Sequence, residues 1–318
     1  MARPTRIFFA ADLHGSAICW RKFINAAKVY EADVLLIGGD IAAKTLTPVY
    51  HENGSWIAIV EGERHRASSP EELERLENRL RDGATVPFRT TEREWQELLA
   101  QPGQLDLVFE RRAGEELRRW LDWARGRLGT APVRLLLGLG NDDLTSMESV
   151  IAADDRAELT DNEVLTVGER HELVTLAFSN PTPWKTHREL SEEEIARRLD
   201  AAAARLDWPD AAIFNLHVPP FGTPLDLAPR LDERLTRVMA PGGEPEMVHV
   251  GSTAVRAALE RHHPLLGLHG HIHESRGTTT FGRTLSMNCG SAYTEGTLLG
   301  AVVDLGRDAV RAAVLTTG

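Results

Sequence analysis

Residues 6–11 form a short apolar run that ends in the polar turn Asp12-Leu13-His14-Gly15, which predicts a strand leading into a loop. From 16 to 30 the apolar residues recur at helical spacing, so strand, turn and helix follow in order. Residues 34–37 are again apolar and β-branched, and they end in Gly38-Gly39-Asp40. The same strand-then-polar-turn pattern returns at 133–137, followed by Gly138-Leu139-Gly140-Asn141-Asp142. Strands are predicted at 163–167 and 171–178, a helix at 191–206, and a strand at 211–216 that runs into His217-Val218-Pro219-Pro220. After a Pro- and Gly-rich loop at 219–245, a helix at 252–262 leads to a strand at 265–268 and then Gly270-His271-Ile272-His273. The tail from 278 to 315 reads as consecutive short strands with turns at Gly282, Gly296 and Gly306.

Between 47 and 130 the pattern changes character. Asn53-Gly54, between two strand-like pieces, is suited to a tight hairpin turn with positive φ. Helix starts follow at Ser69-Pro70 and near Thr91, with a third helix leading into residues 115–128. We read 1–318 as a single domain and 47–130 as a hairpin-plus-helices cap inserted within it. Alternating strands and helices early, then strands late, predict an α/β fold with layered sheets. Five polar clusters fall just after predicted strands, and in such folds sites collect at the carboxyl ends of strands.

Composition narrows the function. A net charge of −11 repels polyanions at long range, which disfavours long nucleic acids and anionic membrane surfaces as partners. No stretch approaches the roughly 18 apolar residues needed to span a bilayer, and the first apolar run is too short for a secretory signal. Cys19 and Cys289 lack metal-ligand spacing and are too few for a disulfide framework, so a reduced, cytoplasmic protein is expected.

Asp12 and His14 stand two apart at a strand end, where both side chains can project toward one point. A hard oxygen beside a borderline nitrogen suits a divalent transition metal; the alternative is a helix-capping Asp and an exposed turn His. Asp40 follows two glycines that let the backbone turn sharply, leaving its carboxylate open to bridge two cations or to cap a helix. Asn141 offers a neutral amide oxygen, although Asn after Gly is also ordinary turn chemistry. His217 precedes a rigid Val-Pro-Pro exit that would fix its imidazole, and a structural role is the competing reading. His271 and His273, flanking Ile272, are the hardest to explain by packing.

In the order D-x-H, GGD, GND, H, GHIH, these residues resemble the calcineurin-like metallophosphoesterase superfamily along nearly the whole chain outside 47–130. The resemblance implies a four-layer αββα arrangement, a two-sheet β-sandwich flanked by helices with the site at one edge. It implies that Asp12, His14, Asp40 and His273 hold one metal and that Asp40, Asn141, His217 and His271 hold a second, with Asp40 bridging. Manganese, iron or zinc would suit the oxygen and nitrogen donors. Two such ions about 3.5–4 Å apart activate a bridging water and clamp a phosphoryl centre, so the nucleophile would be hydroxide rather than a side chain. The expected activity is hydrolysis of small or medium phosphate esters, monoester or diester. The alternative is a metal-binding scaffold or regulatory protein with little turnover.

One position departs from the pattern. Many members carry His after the Asn, where it contacts the phosphoryl group or protonates the leaving group, and Asp142 stands there in this chain. As a catalytic residue Asp142 would have to be protonated, or else orient a neighbour, to avoid repelling phosphate. Trp184 and Phe221, in loops with a ring-stacking capacity, and Arg276, close behind the GHIH motif, are candidate substrate contacts. Asn288 and Ser291 resemble the family's Asn-Pro-Gly-Ser turn, with Cys289 in place of Pro, and would brace the site from behind.

Overall fold

Alternation of buried strands with amphipathic helices builds the frame, seen here in a computed structural model that describes residues 3–60, 62–161 and 163–318. The chain enters as β1 (Thr5–Ala10), α1 (Ala17–Val29) and β2 (Val34–Gly38). Residues 46–128 then form β3 (Leu46–Glu52), β4 (Ser55–Val60), β5 (Glu63–Ala67), α2 (Pro70–Asp82), β6 (Val86–Thr90), α3 (Glu92–Leu99) and α4 (Pro102–Leu128). The frame resumes with β7 (Arg134–Gly138), α5 (Met147–Ala152), β8 (Ala157–Leu159), β9 (Val164–Val167), β10 (His171–Leu176), α6 (Glu192–Ala203) and β11 (Ala212–Leu216). It closes with β12 (Leu227–Pro229), β13 (Met247–His249), α7 (Thr253–His262), β14 (Leu266–His269), β15 (Gly277–Phe281), β16 (Thr284–Asn288), β17 (Leu299–Leu305) and β18 (Val310–Thr317).

Two six-stranded sheets, ordered β18-β17-β1-β2-β7-β8 and β15-β16-β14-β11-β10-β9, lie face to face. Their shared interior is an apolar layer that includes Phe9, Leu36, Leu136, Ile213, Leu268, Met287 and Val303. The outer face of the first sheet packs on α1, α4 and α5, and that of the second packs on α6 and α7. The expected α/β two-sheet sandwich flanked by helices is therefore the fold. β1, β2 and β7 run parallel in one sheet, as do β11 and β14 in the other. Their carboxyl ends release Asp12, Asp40, Asn141, His217 and His271 into loops at one edge of the sandwich.

Residues 46–128 carry their own four-stranded sheet, ordered β5-β4-β3-β6. The hairpin turn falls at Asn53 and Gly54, at φ +48° and +74°, as the dipeptide predicts. Ser69 caps α2, and Thr91 and Glu94 form a reciprocal capping box on α3. The segment is not detached from the frame. Trp120 of α4 stacks on Trp20 of α1 at 5.1 Å and accepts a hydrogen bond from its indole Nε1 through the backbone carbonyl. Such an aromatic pair contributes about 0.5–1.5 kcal/mol beyond its buried area.

Some elements lay beyond the reach of the pattern. β5 reads ERHRA and is an edge strand paired only with β4, so it shows no apolar alternation. α5 spans six residues, too few for a helical period to emerge, and the 219–245 loop contributes β12 to a two-stranded ribbon with β13. Among the described residues no helix is long and apolar enough to cross a membrane.

A buried carboxyl sets a pH response of the fold. Asp161 lies just past β8, with Oδ1 unpartnered, and burial pushes its pKa up to about 7 against the pull of Arg188. The folded chain then holds this proton up to about pH 7, whereas the unfolded chain loses it near its ordinary value of 3.8. Between those limits the native state binds more protons, so this group's contribution to stability falls as pH rises. Asp161→Asn should gain in urea midpoint relative to the native chain from pH 4 to pH 7. Parallel midpoint profiles would show that the carboxyl is not buried as described.

Candidate metal centre

The loop leaving β1 and the loop leaving β2 run side by side. Asp12 N donates to Gly39 O at 2.9 Å, His14 N to Asp40 O at 2.9 Å, and Gly15 N to Ile41 O at 2.8 Å. Asp12, His14, Asp40 and His271 all adopt positive φ, between +43° and +66°. Side-chain-bearing residues held there cost on the order of 1–3 kcal/mol each, and such strain gathers at functional sites. Neither Asp12 nor Asp40 caps a helix. The cap of α1 is Ser16, which accepts from Cys19 N, and no helix begins at Asp40.

These loops bring all seven predicted ligands together. Asp12, His14 and His273 offer donor atoms within 4.8 Å of one another, and so do Asp40, His217 and His271. Asp40 Oδ2 joins the two groups, lying 3.7 Å from His14 Nε2 and 3.3 Å from His217 Nε2. Asn141 Oδ1 is 3.1 Å from His217 Nε2, and its amide nitrogen is occupied by Thr186 Oγ1 at 2.9 Å. His217 Nδ1 faces the Gly38 carbonyl at 3.0 Å, which directs Nε2 at the carboxylates. Asp12 accepts from His271 N through both oxygens, at 3.1 and 3.0 Å. His271 and His273 part company: the first ring packs against His217 and the second against His14, while Ile272 is buried between them.

The electrostatics fit cations. Burial drives His14 down to about 3, so its imidazole is neutral, yet its Nε2 lies 3.1 Å from His273 Nε2 and its buried Nδ1 has no hydrogen-bond partner. Burial also opposes charge on His217, but Asp40, Asp12 and the Gly38 carbonyl outweigh it and push its pKa up to about 10. Asp12 and Asp40 are fully buried among these imidazoles, of which burial keeps His14 and His271 neutral while the carboxylates hold His217 protonated, so a positive counter-charge is drawn to this pocket. Oxygen and imidazole donors in that set match divalent transition ions.

Several supporting residues were not singled out by sequence. Asp143 is fully buried and accepts from Ile41 N, Ala42 N and Gly140 N, which clips the Asp40 loop to the Asn141 loop. Arg188, also buried, donates to Asp143 O at 3.1 Å and to Glu148 at 2.9 Å. Tyr293 packs on both His14 and His273. No local pattern marks any of these as site residues. Asn288 and Ser291, which sequence did mark, brace the centre from behind: Asn288 donates to Ile272 O at 2.9 Å and Ser291 to Asp12 O at 2.7 Å.

Above the clusters opens a cleft of about 980 Å³, lined by Asp40, Lys44, Asn141, Asp142, Trp184, Lys185, Arg230, Arg237, His271, His273 and Tyr293 among others. Trp184 is thus on the cleft wall, with 61% of its surface exposed. Phe221 and Arg276 are not among its lining residues. Phe221 lies against the His249 ring at 5.8 Å, and the Arg276 guanidinium donates to Thr316 O at 3.0 Å, because the turns that carry them lead away from the opening. Asp142 Oδ2 stands 2.5 Å from Lys44 Nζ, and burial together with Asp40 raises its pKa.

No protein-family model matches the chain, and no curated protein is significantly similar to it. Solved structures share its fold. One crystal structure aligns over 98% of this chain and 98% of its own, with a TM-score of 0.57 and 15% identity. The TT1561 protein of Thermus thermophilus aligns over 99% of this chain and 98% of its own, with a TM-score of 0.53 and 13% identity. At such identities the likeness is one of fold.

Proposed function

We infer that the protein is a phosphate-ester hydrolase whose two buried clusters hold a pair of divalent transition-metal ions. The observation that carries this reading is the convergence of seven oxygen and nitrogen donors into two groups joined by Asp40 at the floor of an open cleft. Asp12, His14, Asp40 and His273 would hold one ion, and Asp40, Asn141, His217 and His271 the other. When bound, the ions supply Lewis acidity that activates water and neutralises charge on phosphoryl oxygens.

The chain's own residues prepare that site. Gly38 O and Thr186 Oγ1 fix the faces that His217 and Asn141 present, so little reorganisation is needed on binding. Lys44, Lys185, Arg230 and Arg237 line the cleft beside Asp40, Asp142 and Glu274, so cations there outnumber acids in a protein whose net charge is −11, which supports an anionic substrate. Trp184 offers an exposed ring face to a planar leaving group. Phe109 of α4 also lines the cleft, which supports reading the 47–130 segment as a cap that limits substrates to small or medium esters.

The test is reconstitution with manganese, followed by elemental analysis and turnover of p-nitrophenyl phosphate and bis-p-nitrophenyl phosphate. Close to two ions per chain and release of p-nitrophenol from at least one ester are expected. One ion or none would end the dinuclear reading. Two ions without turnover of either ester would favour a metal-binding scaffold.

A further inference from the structure

Beside the clusters lies a cation with no place in the ligand sets. Lys44 lines the same cleft as Asp40, Asn141, Asp142, His271 and His273, and its half-exposed side chain ends 2.5 Å from Asp142 Oδ2. That carboxylate oxygen is also 3.9 Å from His14 Nδ1, so the ammonium stands one carboxylate away from the first cluster, on its solvent side. Among the described residues Asp142 is the one ion-paired partner of Lys44. An ammonium has three donors, and a single carboxylate oxygen leaves donors for an incoming anion.

The pair is held in register by backbone contacts. Ile41 N and Ala42 N, just before Lys44, donate to the Asp143 carboxylate at 3.1 and 2.8 Å, and Gly140 N, just before Asp142, donates to it at 2.9 Å. Asp142 N in turn donates to Asp40 Oδ1 at 2.9 Å. One buried carboxylate therefore clips the loop carrying Lys44 to the loop carrying Asp142. A half-exposed ion pair contributes little to stability by itself, so this bracing has more value as positioning than as fold energy.

Asp142 alone would repel a phosphoryl group approaching the clusters, and Lys44 offsets that charge while keeping ammonium donors for an anion. We propose that Lys44 is the residue that contacts the non-bridging oxygens of the reacting phosphoryl group, and that Asp142 is its positioning residue rather than an acid toward the leaving group. Lys44 stays protonated throughout: it donates hydrogen bonds to the phosphoryl oxygens, no proton leaves it, and it makes and breaks no covalent bond. The proposal rests on the phosphate-ester reading above and assigns the chain's own cation to that substrate.

The experiment uses manganese-reconstituted full-length protein in native, Lys44→Met, Lys44→Arg, Asp142→Asn and Lys44→Met/Asp142→Asn forms. Calorimetry gives the Kd for inorganic phosphate, kinetics gives kcat and KM for p-nitrophenyl phosphate, and elemental analysis gives metal content. Charge-assisted hydrogen bonds of this kind are worth about 10- to 100-fold. Lys44→Met should therefore weaken phosphate binding and lower kcat/KM by about that factor with metal content unchanged, and Lys44→Arg should recover part of the loss. The double variant should remain as impaired as Lys44→Met. A phosphate Kd unchanged in Lys44→Met would overturn the proposal. So would recovery of native affinity in the double variant, since Lys44 would then only neutralise Asp142. A native protein that binds phosphate through Lys44 yet hydrolyses neither test ester would remove the hydrolase reading and keep this one, whereas one that neither binds phosphate nor turns over would overturn both.

Discussion

Replacing Asp40 with alanine should abolish turnover and lower metal affinity at both clusters at once. Its carboxylate is the link between them, 3.7 Å from His14 Nε2 and 3.3 Å from His217 Nε2, and its other oxygen accepts from Asp142 N at 2.9 Å. Truncation removes a ligand from each set and frees the loop that carries Asn141 and Asp142. His273→Ala differs, because His273 belongs with Asp12 and His14 and should chiefly empty that cluster. Elemental analysis of the two variants beside native protein makes the comparison. Equal, single-site losses from both substitutions would contradict a bridging Asp40.

Gly140→Ala should have nearly as large an effect without replacing a ligand residue. A Cβ at Gly140 would collide with Asp40 Oδ1 and stand 2.5 Å from Asp40 N, and the second of those atoms is backbone that cannot rotate aside. The methyl group must push the Asp40 loop away from Asn141. Overpacking of this kind costs about 1–3 kcal/mol in stability, and displacement of a catalytic group by about 1 Å costs roughly 10²-fold in rate. Gly126→Ala on α4 is the control, since a Cβ there meets nothing within 4 Å, and alanine in a helix gains up to about 1 kcal/mol over glycine. Urea midpoints, metal content and p-nitrophenyl ester turnover separate the two. A Gly140→Ala protein with native metal content and turnover would mean that the two loops can part without harm to the site.

The residues that converge at the candidate centre were legible in the chain because each sits in a short signal of its own. Asp12 and His14, Asp40 after two glycines, Asn141 after Gly140, and His271 with His273 all follow apolar runs that become β1, β2, β7 and β14. The residues that hold them were not legible. Asp143 reads as one more acidic turn residue beside Asp142, and only its burial between two loops shows that it accepts three backbone N–H groups. Lys44 reads as a solvated lysine until Asp142, far along the chain, is found 2.5 Å from it. Phe221 and Arg276 show the opposite error: proximity to a motif in sequence suggested proximity to the cleft, and their turns carry them to His249 and to β18 instead.

By itself the sequence determined the elements whose signals are local: buried strands through apolar runs, helices through their period and caps, the Asn53-Gly54 hairpin through its positive φ, and the order in which polar turns follow strands. These depend on neighbours a few residues apart, which the chain displays directly. Tertiary structure alone decided that β5 and β6 complete a second small sheet, that α4 packs on α1 through Trp120 and Trp20, and that Lys44 pairs with Asp142 at the cleft. Each of these is a contact between residues far apart in the chain, formed only when the two sheets close on their shared apolar layer and bring the carboxyl ends of β1, β2, β7, β11 and β14 to one edge.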